Sequence, residues 1–191
     1  MKRMNLSRTV FLAALSLLAG TASAHTGEHI ATGFIGGLAH PFLGLDHVLA
    51  MIAVGLWAAQ QGGRARWAVP ASFVGAMGLG AALAASGWIV PHVEPGIALS
   101  VLVLGLLIAA QRHASILTGM TLVAVFALFH GTAHGLEMPQ TASPAFYAMG
   151  FVLATVALHG AGIASSLAGR YTMRVAGFGI AATGLALVMS L

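Results

Sequence analysis

Six apolar stretches, residues 31–60, 67–89, 96–111, 115–136, 145–168 and 173–191, take up nearly all of the chain beyond its first thirty residues. Each is close to the ~20 residues that cross ~30 Å of hydrocarbon at 1.5 Å per residue, the first being long and the third short. A water-facing surface is not available to such a chain. Only 6% of its residues are charged and 59% are apolar, with a mean hydropathy of +0.94, whereas soluble domains carry ~25% charged residues. That excludes an ordinary soluble enzyme, a disordered tail and a nucleic-acid binder. The high pI of about 10.8 reflects 8 Lys and Arg against 4 Asp and Glu, not a basic patch. The absence of cysteine removes disulfides, thiolate metal sites and iron–sulfur clusters. The expected fold is all-α, a polytopic membrane protein whose surrounding partner is the lipid bilayer.

The N-terminus reads differently from the spans. Lys2, Arg3 and Arg8 precede an apolar run from Val10 to Gly20, and Ala22-Ser23-Ala24 supplies a small-x-small cleavage pattern. An apolar run of eleven residues is short for a span, and these flanks match a secretory signal. Residues 1–24 are therefore expected to be a cleaved signal peptide and 25–191 a six-helix transmembrane domain. The mature chain then holds five Arg against four acids, a net charge of +1. Arg64 and Arg66 follow the first span, Arg112 the third, and Arg170 and Arg174 bracket the entry to the sixth; Glu94 and Glu137 follow the second and fourth. By the positive-inside rule the three arginine-bearing loops are cytoplasmic and both mature termini face outward. The signal peptide requires the same outward N-terminus.

Ionisable side chains inside a span are costly and commonly functional. They gather here in two segments, His40-Pro41-Phe42-Leu43-Gly44-Leu45-Asp46-His47 in span one and Phe129-His130-Gly131-Thr132-Ala133-His134-Gly135-Leu136-Glu137 at the end of span four. On a helix, His130, His134 and Glu137 fall at i, i+4 and i+7 and share one face. Pro41 disfavours helical geometry at His40. It is read as the first residue of a helix after a break, with His40 at the cap and Gly33, Gly36 and Gly37 loosening the chain before it. Discontinuous helices of this kind recur in transporters. Counting 1.5 Å per residue from the inner ends puts His47 at ~20 Å and His130 at ~24 Å, a shared level in the outer half of the bilayer.

One buried histidine is more often a packing residue than a ligand. Four imidazoles and two carboxylates (His40, Asp46, His47, His130, His134, Glu137) at one depth instead point to a divalent cation. Histidine with carboxylate and no sulfur suits Ni²⁺ or Co²⁺, and Zn²⁺ nearly as well. A ligating imidazole needs a partner on its second nitrogen, and Asp46 is a candidate for that role in place of direct ligation. His159 in span five stands alone as a supporting or pathway residue. His25, Glu28 and His29 either collect metal at the outer mouth or form a solvated tail; His92 and Glu94 are similar, with Glu94 facing the entrance. His113 reads as a cytoplasmic loop residue. The nine methionines lack a clustered Met-x-x-Met pattern and read as core. Most glycines, among them Gly75, Gly78, Gly80, Gly131, Gly135, Gly177, Gly179 and Gly184, read as helix-packing positions, Gly131 and Gly135 forming a GxxxG.

At these motifs the chain resembles the HupE/UreJ family of membrane metal permeases. The family's first pattern, His-Pro-x-x-Gly-x-Asp-His, is matched by His40, Pro41, Gly44, Asp46 and His47; its second, Phe-His-Gly-x-Ala-His-Gly-x-Glu, by Phe129, His130, Gly131, Ala133, His134, Gly135 and Glu137. The signal peptide, size and six spans agree as well. The resemblance implies uptake of nickel, or sometimes cobalt, across the bacterial inner membrane, with periplasmic mature termini, in support of hydrogenase or urease maturation. The ion is then cargo and no resident cofactor is expected; a homo-oligomer stays open. No Walker loop is present, so transport would be downhill or driven by the membrane potential, which favours inward cations by ~2.3 kcal/mol per charge per 100 mV. The two motif helices open each three-span half and run in opposite directions, as an inverted repeat requires. Two rival readings are a zinc-dependent intramembrane hydrolase, which lacks the Glu of His-Glu-x-x-His, and a haem-binding electron carrier with axial histidines from two helices.

Overall fold

The computed structural model describes residues 33–138 and 143–191, so the expected signal peptide and the terminal His25, Glu28 and His29 lie outside the described residues. Every element described is helical: α1 (Gly33–Ala39), a 3-10 turn (His40–Phe42), α2 (Leu45–Gln61), α3 (Ala65–Ala85), α4 (Val93–Ala109), α5 (Ile116–Glu137), α6 (Pro144–Ser165) with a 3-10 extension (Ser166–Ala168), and α7 (Arg170–Met189). In hydrocarbon only a helix satisfies its own backbone within one segment. Each apolar stretch of the sequence therefore becomes helix. Four of them, α3, α5, α6 with its extension, and α7, are long and apolar enough to cross a membrane.

The other two of the expected six spans differ from the expectation. With 17 residues, α4 reaches about 25 Å, short of ~30 Å. The first stretch is broken, α1 and α2 meeting at 82° and passing the span criterion only together. The break also sits elsewhere than expected. Residues Gly33–Ala39 are already helical, ending just before the residue that precedes Pro41. Pro41 opens only a three-residue 3-10 turn, closed by Leu43 N–H donating to the His40 carbonyl at 3.0 Å. The chain then extends at Gly44 (φ −111°, ψ 120°) before α2 begins. Gly36 and Gly37 do not loosen this segment; both are buried, and a Cβ on Gly37 would collide with the Tyr147 carbonyl of α6.

Close backbone approach holds four helix pairs together. Gly37 and Gly150 bring α1 onto α6, as Gly55 and Gly162 do for α2 on α6. Gly80, Gly131 and Gly135 bring α3 onto α5, and Gly105, Gly177 and Gly184 bring α4 onto α7. Without Cβ atoms these backbones pack in van der Waals contact, the main source of helix association in lipid. Gly75, Gly78 and Gly179, expected to do the same, face open space. Numbered as the apolar stretches of the sequence, the most extensive pairings are one with five, two with four, and three with six. Exchanging the two halves of the chain maps the first pairing onto the second and the third onto itself, the pattern a two-fold relation between halves produces.

All three arginine-bearing loops meet at one end of this bundle. Trp57 Nε1 and Gln61 Nε2 donate to the Arg112 carbonyl at 3.1 and 3.0 Å, and Gln61 Oε1 accepts from Ala114 N–H at 2.9 Å. Arg66, His113 and Arg170 line one cavity there. The motif residues lie at the other end of α2 and α5.

Candidate metal centre

At the start of α2 the sequence builds a carboxylate–imidazole pair. Asp46 stands in the first helical turn, where negative charge is favoured. Its Oδ1 accepts the His47 backbone N–H at 2.8 Å and contacts His47 Nδ1 at 2.7 Å. Those two bonds fold the side chains back over Gly44. A Cβ there would sit 2.7 Å from Asp46 Oδ1 and 2.9 Å from His47 Nδ1. The glycine of the first motif is thus a matter of space. With Nδ1 engaged, His47 turns its Nε2 inward, buried and without a hydrogen-bond partner among the described residues.

The last two turns of α5 supply the opposing face. Gly131 and Gly135 press against the α3 backbone and leave His130, His134 and Glu137 on other sides of the helix. His130 is completely buried, and its Nε2 lies 2.9 Å from Ser100 Oγ on α4. His134 is buried with neither ring nitrogen hydrogen-bonded among the described residues. Glu137, at the helix end, is half-exposed and bonds His40 Nε2 at 3.0 Å through Oε2, which is also 3.8 Å from His134 Nδ1.

The rings form a continuous file. His40 lies 5.0 Å from His134 between centroids, His134 lies 4.4 Å from His47, and His47 lies 4.8 Å from His130. Both motifs therefore stand at one level, as the depth count requires. At the outer end, one ligand atom each from His40, His134 and Glu137 all lie within 4.8 Å of one another. Phe151 packs on His134 at 4.2 Å, and Tyr147 lies 5.8 Å from His40. Beyond His130 the Phe73 ring intervenes, 5.6 Å from His130 and 5.3 Å from His159. A half-exposed acid and a partly exposed imidazole thus lead to three buried imidazoles, an arrangement that can replace the water shell of a dication stepwise.

His40, Asp46, His47, His130, His134 and Glu137 are brought together; of the remaining candidates, the two among the described residues, His159 and Glu94, are not. His159 is buried in α6 with both nitrogens unpartnered among the described residues, but Phe73 separates it from His130. Glu94 is exposed in the first turn of α4, with no ion pair among the described residues. Three participants escape a reading of the sequence: Ser100, Phe73 and Phe151. A lone hydroxyl or phenyl in an apolar helix carries no spacing signal that separates it from packing.

The family model described as HupE / UreJ protein matches residues 13–187. Protein HupE of Rhizobium leguminosarum bv. viciae is 46% identical over 186 residues, covering 95% of this chain and 96% of that protein. No solved structure matches.

Proposed function

Since the chain belongs to the HupE/UreJ family, we propose that it takes up Ni²⁺, or Co²⁺, across the bacterial inner membrane and supports metallation of a hydrogenase or urease. In this reading residues 1–24 are a cleaved signal peptide, α1 and α2 together make the first of six spans, and α4 crosses as a short third. The arginine-bearing loops are cytoplasmic, which puts Glu137 and His40 at the periplasmic mouth. The ion meets His40, His134 and Glu137 first and then passes His47 and His130, with Asp46 holding His47. It leaves inward past Phe73 and His159.

One observation carries this proposal: the rings of His47, His130 and His134, from two helices, stand in file, and each keeps a buried nitrogen with no hydrogen-bond partner among the described residues. Buried polar atoms are ordinarily hydrogen-bonded, so such a set is the donor array of something that binds there. Imidazole and carboxylate without thiolate favour a borderline dication. Rings in mutual contact at 4.4–5.0 Å leave no slot for a porphyrin between them, against the haem reading.

Uptake of radioactive Ni²⁺ by cells expressing equal membrane amounts of protein tests the site. His47→Ala and His130→Ala should each lose most uptake, and wild-type transport in both would remove the proposal. Gly44→Ala should cost about 10-fold, typical of disturbing a group that orients a metal ligand, because its Cβ displaces the Asp46–His47 pair. Unchanged uptake would show that this pair tolerates displacement.

A further inference from the structure

Ser100 is the one polar side chain between Ile97 and Leu104 of α4, and it is fully buried. Its Oγ lies 2.6 Å from the Ile97 carbonyl and 2.9 Å from His130 Nε2. A hydroxyl has one proton and two lone pairs, and a carbonyl oxygen can only accept. The proton must therefore point to Ile97. Directed at His130 instead, it would leave two oxygens 2.6 Å apart with no hydrogen between them. Oγ is thus an acceptor toward Nε2, and Nε2 must carry the hydrogen. A neutral imidazole has one N–H, so Nδ1 presents a lone pair. That Nδ1 is buried and has no partner among the described residues.

Resting on the metal-uptake reading above, we infer that Ser100 is a positioning residue, fixing His130 in its Nε2–H tautomer so that Nδ1 is the atom offered to the ion. His47 is held in the complementary sense: Asp46 engages Nδ1, and Nε2 is free. The facing imidazoles, 4.8 Å apart, are each anchored by one nitrogen and open at the other. Their anchors differ in kind. A carboxylate strengthens its imidazole as a donor, whereas a serine hydroxyl orients the ring without adding charge. The path thereby pairs a stronger ligand on α2 with a weaker one on α5, which allows the ion to move on.

The test is Ni²⁺ uptake kinetics in cells with matched membrane amounts, together with Ni²⁺ titration of the purified full-length protein in detergent. Ser100→Ala should raise the KM and weaken binding about 10-fold, with Vmax less affected, and Ser100→Thr, which keeps the hydroxyl, should restore both. In a His130→Ala background Ser100→Ala should weaken binding no further. Independently, His130→Asn should bind better than His130→Gln. Asparagine places an amide oxygen near the Nδ1 position, while glutamine reaches toward Nε2 and Ser100. Wild-type KM in Ser100→Ala, additive losses in the double variant, or His130→Gln matching His130→Asn would each overturn the inference. If Ser100→Ala does not accumulate, the Asn and Gln variants decide alone. Wild-type uptake by His130→Ala would instead overturn the functional reading itself.

Discussion

Alanine at position 134 should reduce Ni²⁺ uptake on the order of 100-fold or more, the largest loss of any single ligand substitution. Removing a group that merely orients a ligand costs about 10–100-fold in metal affinity or activity, and His134 does more than orient. It stands between the two halves of the file, 5.0 Å from His40 and 4.4 Å from His47 between ring centroids. It also belongs to the outer group with His40 and Glu137. Its loss breaks the outer position and the handover together, whereas loss of His130 leaves the outer group intact. Metal titration of purified His134→Ala should accordingly show weaker binding at the first position filled. In His130→Ala, the outer position should keep its affinity. Retention of wild-type uptake by His134→Ala, at matched protein amounts, would refute the order of the path.

Gly131→Ala should be strongly destabilising. An added Cβ would collide with the Met77 carbonyl and lie 3.0 Å from Ala81 N, both of them backbone atoms of α3. No rotamer change relieves a backbone clash, so α3 and α5 must separate. Overpacking of this kind costs ~1–3 kcal/mol, a fall in Tm of roughly 2–12 °C. The separation also moves His130 and His134, on either side of Gly131, relative to α2, and uptake should fall beyond what reduced protein amount explains. Gly75→Ala is the matched control, a glycine of α3 whose Cβ would meet nothing within 4 Å. It should leave stability and uptake unchanged or slightly improve the helix. Thermal unfolding of the two purified variants checks both outcomes, and equal Tm values would refute the packing argument.

Both experiments draw on information that the sequence holds unequally. Gly75 and Gly131 are indistinguishable as letters in apolar runs; only the approach of α3 and α5 separates open space from a backbone carbonyl. Ser100 carries no signal at all, since an isolated hydroxyl is tolerated anywhere that a helix carbonyl can accept its proton. Pro41 misleads in a definite way. It does interrupt the helix, but one turn late, because the 3-10 turn uses its missing N–H without cost and the extended residue is Gly44.

The amino-acid order alone determined helical structure in each apolar stretch, the positions of the arginine-bearing loops, and which six polar side chains would share a level. Each is a one-dimensional property, set by the transfer cost of charge and by 1.5 Å of rise per residue. Tertiary structure alone decided the 82° bend of the first stretch, the pairing of the first apolar stretch with the fifth and the second with the fourth, and the placing of Ser100 against His130. Those depend on which backbones approach closely and on where a hydroxyl of another helix comes to rest. Such distances arise between residues far apart in the chain, and no local pattern encodes them.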